Sequence, residues 1–341
     1  MALQVVSQKL MPGLRWLRRG LIVRYVDASR PSPIPTTVQI EATTWCNLRC
    51  PLCSHSREMT SGRHLTGDEL RAILDRLPWT PPHVRLSGVG EPLVSPYFFE
   101  LADILAERGI TCEFYTNGTL LGRQATRDAI LSRPSITGLR VSCDGATKDT
   151  FEAMRLGAEF DAWKQSVQGF VTQAKEQRGA TFSLGVLTAL SRQNLGEIGD
   201  VIRLVADLGM QRIFIQDPMP IDDVAASWCP SLDEMREFHG HEGELRALGK
   251  SLGVTATFRY RRGVSPRPIG IRCLQPWMYT FIRATGDVAP CCSVFGSDDA
   301  AVMGNLTNED FEAIWHGDRY REFRTTLVSG TNDLCQTCPY Y

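Results

Sequence analysis

The sequence predicts an α/β fold, a partial (β/α)6 TIM-like barrel followed by a small C-terminal α+β unit. Three observations predict it. Strand-type and helix-type patterns alternate six times in about 180 residues, as in a parallel sheet covered by helices. Short motifs rich in glycine, cysteine and polar residues stand directly after the first four predicted strands, where such folds gather their chemistry. Past Asp217 the alternation stops, and five of the chain's 11 cysteines fall between residues 273 and 338. Six units instead of eight leave the barrel incomplete.

Taken in order, "TTVQIEA" (36–42) alternates as a strand and leads into a cysteine loop. "TGDELRAILDRL" (66–77) is an amphipathic helix with Thr66 as its N-cap. "HVRLSG" is a strand, and "PYFFELADILAERG" is a helix stopped by Gly109. "TCEFYTNG", a helix near 124–132 and the strand "GLRVSCDG" follow. Helices over roughly 147–155 and 161–177, the strand "TFSLGVLTA", the helix "NLGEIGDVIRLVADLG" and the strand "QRIFIQ" complete the barrel. Beyond it come a linker, a helix over about 231–252 and the strand-like "VTATFRY". The last part holds a hairpin in "WMYTFIRATGDVAPCC", turning at Thr285, Gly286 and Asp287, and the helix "NEDFEAIWHG". The expected divisions are an N-terminal extension (1–35), the barrel (36–220), a linking region (221–272) and a C-terminal domain (273–341).

Composition narrows the class. With 43% hydrophobic and 22% charged residues the chain is an ordinary globular protein. A formal net charge of −1 gives no footprint for nucleic acid. No apolar run approaches the ~20 residues of a membrane span. The basic amphipathic stretch containing Arg15, Trp16, Leu17, Arg18 and Arg19 suits a helix packed on the body. It lacks the features of a secretion signal, so the expected location is cytoplasmic and the thiols are expected to serve metals or catalysis.

The loop after the first strand reads "TTWCNLRCPLCSH" and places Cys46, Cys50 and Cys53 within eight positions. A closed iron–sulfur cluster takes four thiolates, one per iron, so three leave one iron open to a small molecule. A Cys3His zinc site with His55 is the competing reading. Zinc, however, explains neither "GVGEP" after the second strand nor the six βα units.

The combination of this Cys-x3-Cys-x2-Cys loop with "GVGEP", "TNG" and "SCDG" resembles the radical S-adenosylmethionine (SAM) enzymes. The resemblance implies a [4Fe-4S] cluster on Cys46, Cys50 and Cys53 whose open iron chelates SAM. It further implies reductive cleavage of SAM to methionine and a 5′-deoxyadenosyl radical that takes hydrogen from substrate. Gly88, Gly90 and Glu91 are then expected at the SAM amino group, Thr116, Asn117, Ser142 and Asp144 at its ribose and carboxylate, and Asn194 at a further contact. Leu52 replaces the usual aromatic before the third cysteine, and Cys143 stands where an aliphatic residue is usual.

Cys273, Cys291, Cys335 and Cys338 supply four more thiolates, within a region that resembles the auxiliary iron–sulfur domains called SPASM and their shorter twitch form. Too few cysteines remain for a full two-cluster domain, so the resemblance implies one auxiliary [4Fe-4S] cluster. A structural zinc at these positions is the alternative. Cys292, beside Cys291, is the other candidate ligand.

The spacing is similar to that of the butirosin-pathway aminocyclitol dehydrogenase. This implies two-electron oxidation of a secondary alcohol to a ketone, the auxiliary cluster accepting an electron. Redox-neutral epimerisation with a thiol hydrogen donor is the alternative reaction, and modification of a peptide or protein is the alternative substrate class. About 35 residues precede the first strand, too few for the leader-binding domain common in peptide-modifying members. A small polar metabolite such as a sugar, aminocyclitol or glycoside is therefore expected, with a flavodoxin- or ferredoxin-type reductase as partner. Asp217 and Arg259 (with Arg261) are candidates for the base, and Cys143 and Cys229 for the hydrogen donor. Each also has a structural explanation, as an ion pair or a small buried hydrophobe. His239 and His241 read as an exposed helical pair.

Overall fold

The computed structural model describes residues 34–53, 62–218, 223–260, 264, 273–292, 301–336 and 338. The N-terminal extension, His55 and Arg261 lie outside the described residues.

Ten strands form one sheet: β1 (Thr37–Ile40), β2 (His83–Leu86), β3 (Thr111–Thr116), β4 (Ile136–Ser142), β5 (Ser183–Ala189), β6 (Arg212–Gln216), β7 (Thr255–Arg259), β8 (Tyr279–Ile282), β9 (Asp287–Ala289) and β10 (Gly304–Asn305). The helices between β1 and β6 are α1 (Gly67–Asp75), α2 (Phe98–Glu107), α3 (Gln124–Leu131), α4 (Lys148–Met154), α5 (Phe160–Arg178) and α6 (Ile198–Asp207). After β6 come α7 (Asp223–Trp228), α8 (Leu232–Gly240) and α9 (Glu242–Ser251). After β7 come α10 (Gln275–Met278), α11 (Phe311–Trp315), α12 (Asp318–Ser329) and α13 (Asp333–Gln336).

The strand order is β10-β9-β8-β1-β2-β3-β4-β5-β6-β7. Neighbours from β1 to β7 pair in parallel, as the expected partial barrel requires. Four strands outside the six-unit expectation, β7 to β10, join the same sheet. β7 adds to β6, and β8 pairs in parallel with β1, Gln39 opposite Phe281. The C-terminal hairpin is therefore a continuation of the barrel sheet, and Gly286 makes its turn with a φ of +85° that favours glycine.

Local sequence explains the element ends. Thr66 closes a capping box at α1, accepting from Glu69 N while Glu69 reaches back to Thr66 N. Gly109 and Gly179 end α2 and α5 in positive-φ conformations. The single helix expected over 231–252 is two, α8 and α9, meeting at His241. α12 was not foreseen. Buried Arg324 fastens it by donating to Pro276 O (3.0 Å) and Trp315 O (2.7 Å).

Strict alternation divides the sheet's two faces. Val38, Ile40, Val84, Leu86, Phe114, Leu139, Val141, Val186, Ile213 and Ile215 face the helices and form the core. The opposite, inner face carries Gln39, Arg85, Ser87, Glu113, Tyr115, Arg140 and Ser142. A parallel sheet covered on both faces reads as continuous apolar runs. These strands are polar on one side because that side lines the barrel interior.

Candidate active site

The loops after β1, β2, β3 and β4 are fastened to one another, and the cysteine loop is the hub. Leu48, 1% exposed, anchors it in the core between Cys46 and Cys50. Glu91 N donates to Trp45 O at 2.7 Å, binding the glycine-rich loop to it. Asn47 binds the third loop, accepting from Asn117 Nδ2 (2.8 Å) and donating to Thr119 Oγ1 (2.9 Å). Arg49 N donates to Leu156 O (2.9 Å), just beyond α4.

The glycines permit this closeness. A Cβ on Gly90 would fall 2.4 Å from Trp45 O and 2.5 Å from Thr43 O, inside van der Waals contact with backbone that cannot yield cheaply. A Cβ on Gly88 would fall 2.3 Å from Glu41. Buried Glu41 accepts from Val89 N (2.9 Å) with one oxygen and from Ala284 N (3.1 Å) with the other. It thereby holds the glycine-rich loop and the end of β8 in one frame.

Glu91 was expected to meet the SAM amino group. Here both its oxygens are engaged inside the protein. Thr116 Oγ1 donates to Oε1 at 2.8 Å, Leu93 N to Oε1 at 3.2 Å and Asn117 N to Oε2 at 2.6 Å. Glu91 thus organises the second and third loops. Burial pushes its carboxyl up to about 7, against these hydrogen bonds. A folded value raised above the ordinary 4.5 means that its contribution to stability is full below pH 4.5 and lost as pH rises through 7. A carbon-13 titration of this carboxyl in the metal-free protein should have its midpoint near 7; a midpoint near 4.5 refutes the assignment.

Asn194 also turns inward. Its Nδ2 donates to Asp144 O and Ala189 O, each at 2.8 Å, and its Oδ1 accepts from Ser191 N at 2.8 Å. It staples the ends of β4 and β5 together and has no side-chain donor left for a ligand. Ser142 lies on the inner face, partly exposed. Thr116 and Asn117 are buried in the knot of loops.

Arg155, at the end of α4, is the residue that sequence reasoning missed. Its Nη2 is 2.6 Å from Asp144 Oδ2, and its Nη1 is 3.9 Å from Cys50 Sγ. Burial pushes the Asp144 carboxyl up, opposed by Arg155 and by Ala189 N, which donates to Oδ1 at 2.7 Å. Burial pulls the Arg155 pKa down, but Asp144, Cys50 and Cys143 outweigh it. Its buried Nε has no hydrogen-bond acceptor among the described residues. The signal in the sequence is faint, a lone cation closing the helix that follows the fourth motif.

The candidate hydrogen donor Cys143 is corrected by strand parity. It is fully buried on the core face, like Val141, and its thiol donates to Gly145 O at 3.4 Å. Burial pushes that thiol up to about 12. Asp217 and Arg259 come together at the β6–β7 edge, Asp217 N donating to Arg259 O at 2.9 Å. Cys229 is buried just after α7. His239 and His241 lie 3.7 Å from Glu242 and 3.6 Å from Glu244, as partners at a helix junction.

Burial pushes the Cys46 thiol up to about 11, and nearby Glu91, Cys50 and Cys53 add to it. Burial raises Cys50 as well, with Arg155 opposing. A cationic centre among three such thiols would reverse this preference. Near the C-terminus burial pushes Cys335 up to about 12, and nearby Cys273 and Cys338 add to the rise. Cys291 and Cys292 pack on Tyr279, Phe281 and Ala289. Among the described residues no three His, Cys, Asp or Glu side chains converge as a single metal ion requires, and a cluster that takes one thiolate per iron does not demand it. The close thiols, the orphaned Arg155 donor and the glycine-cleared loops fit an iron–sulfur cluster that carries an anionic ligand.

Comparison with known proteins shows the family and the cofactors it uses. Residues 40–210 match the radical SAM superfamily, and residues 273–339 match SPASM, an iron–sulfur cluster-binding domain. The AdoMet-dependent heme synthase of Methanosarcina barkeri is 26% identical over 322 residues, covering 89% of this chain and 88% of that protein. The mycofactocin maturase MftC of Mycobacterium tuberculosis is 27% identical over 316 residues (90% and 76%). The PqqA peptide cyclase of Bradyrhizobium diazoefficiens is 25% identical over 319 residues (90% and 79%). The crystal structure of Streptococcus suis SuiB bound to S-adenosylmethionine shares the fold, with a TM-score of 0.68 at 15% identity over 88% of this chain and 68% of that one. Among the described residues no helix is long and apolar enough to cross a membrane.

Proposed function

The chain belongs to the radical SAM superfamily, and we propose that it is a maturase that modifies a peptide by radical chemistry. It is a radical SAM enzyme with a SPASM domain, whose cofactors are SAM and iron–sulfur clusters. When bound, the cluster and SAM supply a 5′-deoxyadenosyl radical able to take hydrogen from an unactivated carbon. The chain's own part is to hold the loops. Asn47, Glu91, Asn117 and Arg155 fix them around Cys46, Cys50 and Cys53, and Glu41 ties them to the C-terminal hairpin. The proposed cluster ligands are those three cysteines, with Cys273, Cys291, Cys335 and Cys338 for one auxiliary cluster, and the proposed electron donor is a flavodoxin- or ferredoxin-type reductase.

The observation that carries the peptide reading is the run of relatives along nine-tenths of this chain, among them a maturase and a peptide cyclase. A second reading, oxidation of a small metabolite, draws its substrate class from the heme synthase relative and its reaction from the C-terminal cysteine spacing. The test is to incubate the reconstituted, reduced protein with SAM and fractionated small peptides or small metabolites from the native host. The peptide reading expects substrate-dependent 5′-deoxyadenosine and a peptide product altered in mass. Stimulation by the metabolite fraction alone would overturn it.

A further inference from the structure

The inner face of the sheet carries a feature that the SAM motifs leave unused. Arg85 (β2), Tyr115 (β3), Arg140 (β4) and Phe214 (β6) form a row of alternating guanidinium groups and rings. The Arg85 guanidinium lies 5.0 Å from the centre of the Tyr115 ring. That of Arg140 lies 5.2 Å from the same ring and 4.2 Å from Phe214. Gly185, opposite Arg140 in the β4–β5 ladder, puts no side chain in its path across β5. Stacking occupies the faces of a guanidinium and leaves its edge N–H groups for oxygen acceptors.

The acceptors among the described residues are few. Glu113 Oε1 accepts from Arg85 Nη2 at 3.2 Å and from its Nε at 3.4 Å, and its Oε2 is 3.9 Å from Arg140 Nη2. Arg140 Nη1 donates to the Tyr115 hydroxyl at 2.9 Å, and Arg85 Nη1 reaches Gln39 Oε1 at 3.5 Å. Tyr279 also donates to Gln39 Oε1, at 2.9 Å, and Cys292 lies beside that tyrosine. Among the described residues one carboxylate, that of Glu113, therefore faces two guanidinium groups. The side chains of Arg85, Arg140 and Glu113 keep 24, 25 and 20% of their surface open, so the row borders space and is not sealed in packing. A surplus cation in a confined interior is stabilised by an incoming anion.

We propose that this row is the subsite for a carboxylate on the substrate, held inside the barrel below the glycine-rich loop. Arg85 stands two residues before Ser87 on the same inner face, about 7 Å along the strand from the loop's start. A substrate gripped there by its carboxylate presents its far end towards the loops. The proposal rests on the reading of the chain as a radical SAM enzyme and gives it an acidic substrate, whether a peptide with an acidic side chain or a small acid.

The test titrates the reconstituted, SAM-bound protein with benzoate and with its uncharged isostere benzamide. Benzoate is expected to bind at least ten-fold more tightly. In R85Q and R140Q that preference should fall to within about two-fold, with SAM affinity and melting temperature retained. R85K and R140K, which keep charge but lose the fork, should fall between. Equal binding of the two probes to the wild type, or no binding, overturns the proposal without recourse to any variant. A preference that survives in R85Q/R140Q also overturns it, and a melting temperature that falls with the preference intact assigns the row to packing. Release of 5′-deoxyadenosine is read in the same samples after dithionite is added to supply the electron for SAM cleavage. Release without a benzoate preference sinks the subsite alone, whereas a preference without release sinks the radical reading.

Discussion

Replacing Cys46, Cys50 and Cys53 together by alanine should lower iron in the anaerobically reconstituted protein from about eight to about four per chain. Formation of 5′-deoxyadenosine should be lost entirely. The fold should survive, because the three cysteines are only partly buried and the loop's apolar anchor is Leu48. Loss from about four irons to none would mean that the C-terminal thiols hold another metal or nothing, and would remove their role as an electron acceptor. Iron unchanged at either level would exclude the three cysteines as ligands. Circular dichroism on the same samples separates loss of a cluster from loss of the fold.

Arg155→Met should cost the metal-free protein about 3–5 kcal/mol at pH 8, the usual penalty for leaving a buried charge without its partner. The carboxylate left behind is that of Asp144, 3% exposed. Its carboxyl is already pushed up by burial and would rise further without Arg155, so the deficit should shrink as pH falls and Asp144 takes a proton. Arg155→Met/Asp144→Asn should recover most of the stability, because removing both charges leaves little to desolvate. The double variant should still reconstitute iron poorly at the N-terminal site, since the guanidinium near Cys50 is gone. Urea unfolding from pH 5 to 8 checks the first claim and iron content the second. A deficit below 1 kcal/mol, or one independent of pH, would show that the pair is not coupled as its geometry implies.

The residues that sequence reasoning placed well are those whose neighbours are close in the chain. Thr66 capped its helix because Glu69 lies three positions on. Gly286 turned the hairpin because alternating apolar residues flank it. The residues it placed less well depend on which face or which strand they meet. Cys143 stands one position from Ser142, and the period of two sends one thiol to the core and the other hydroxyl to the interior. Glu91 and Asn194 read as ligand contacts because they stand in the right loops. The structure also gives them partners inside the protein, Asn117, 26 residues on, and Asp144, 50 residues back. The pairing of β8 with β1 joins segments about 240 residues apart, and nothing local announces it.

By itself the sequence determined the class of chemistry. Three thiols in eight residues and a motif after each of four strands are local patterns, and a parallel sheet with short loops brings all strand ends of one polarity to one side. Only the tertiary structure decided how that site is held. Arg155 reaches Cys50, Glu41 links the glycine-rich loop to the C-terminal hairpin, and Arg85 and Arg140 share Tyr115 inside the barrel. These contacts join residues tens to hundreds of positions apart. Their partners are fixed by strand register and helix packing, which the hydrophobic pattern requires without saying which side chains will meet.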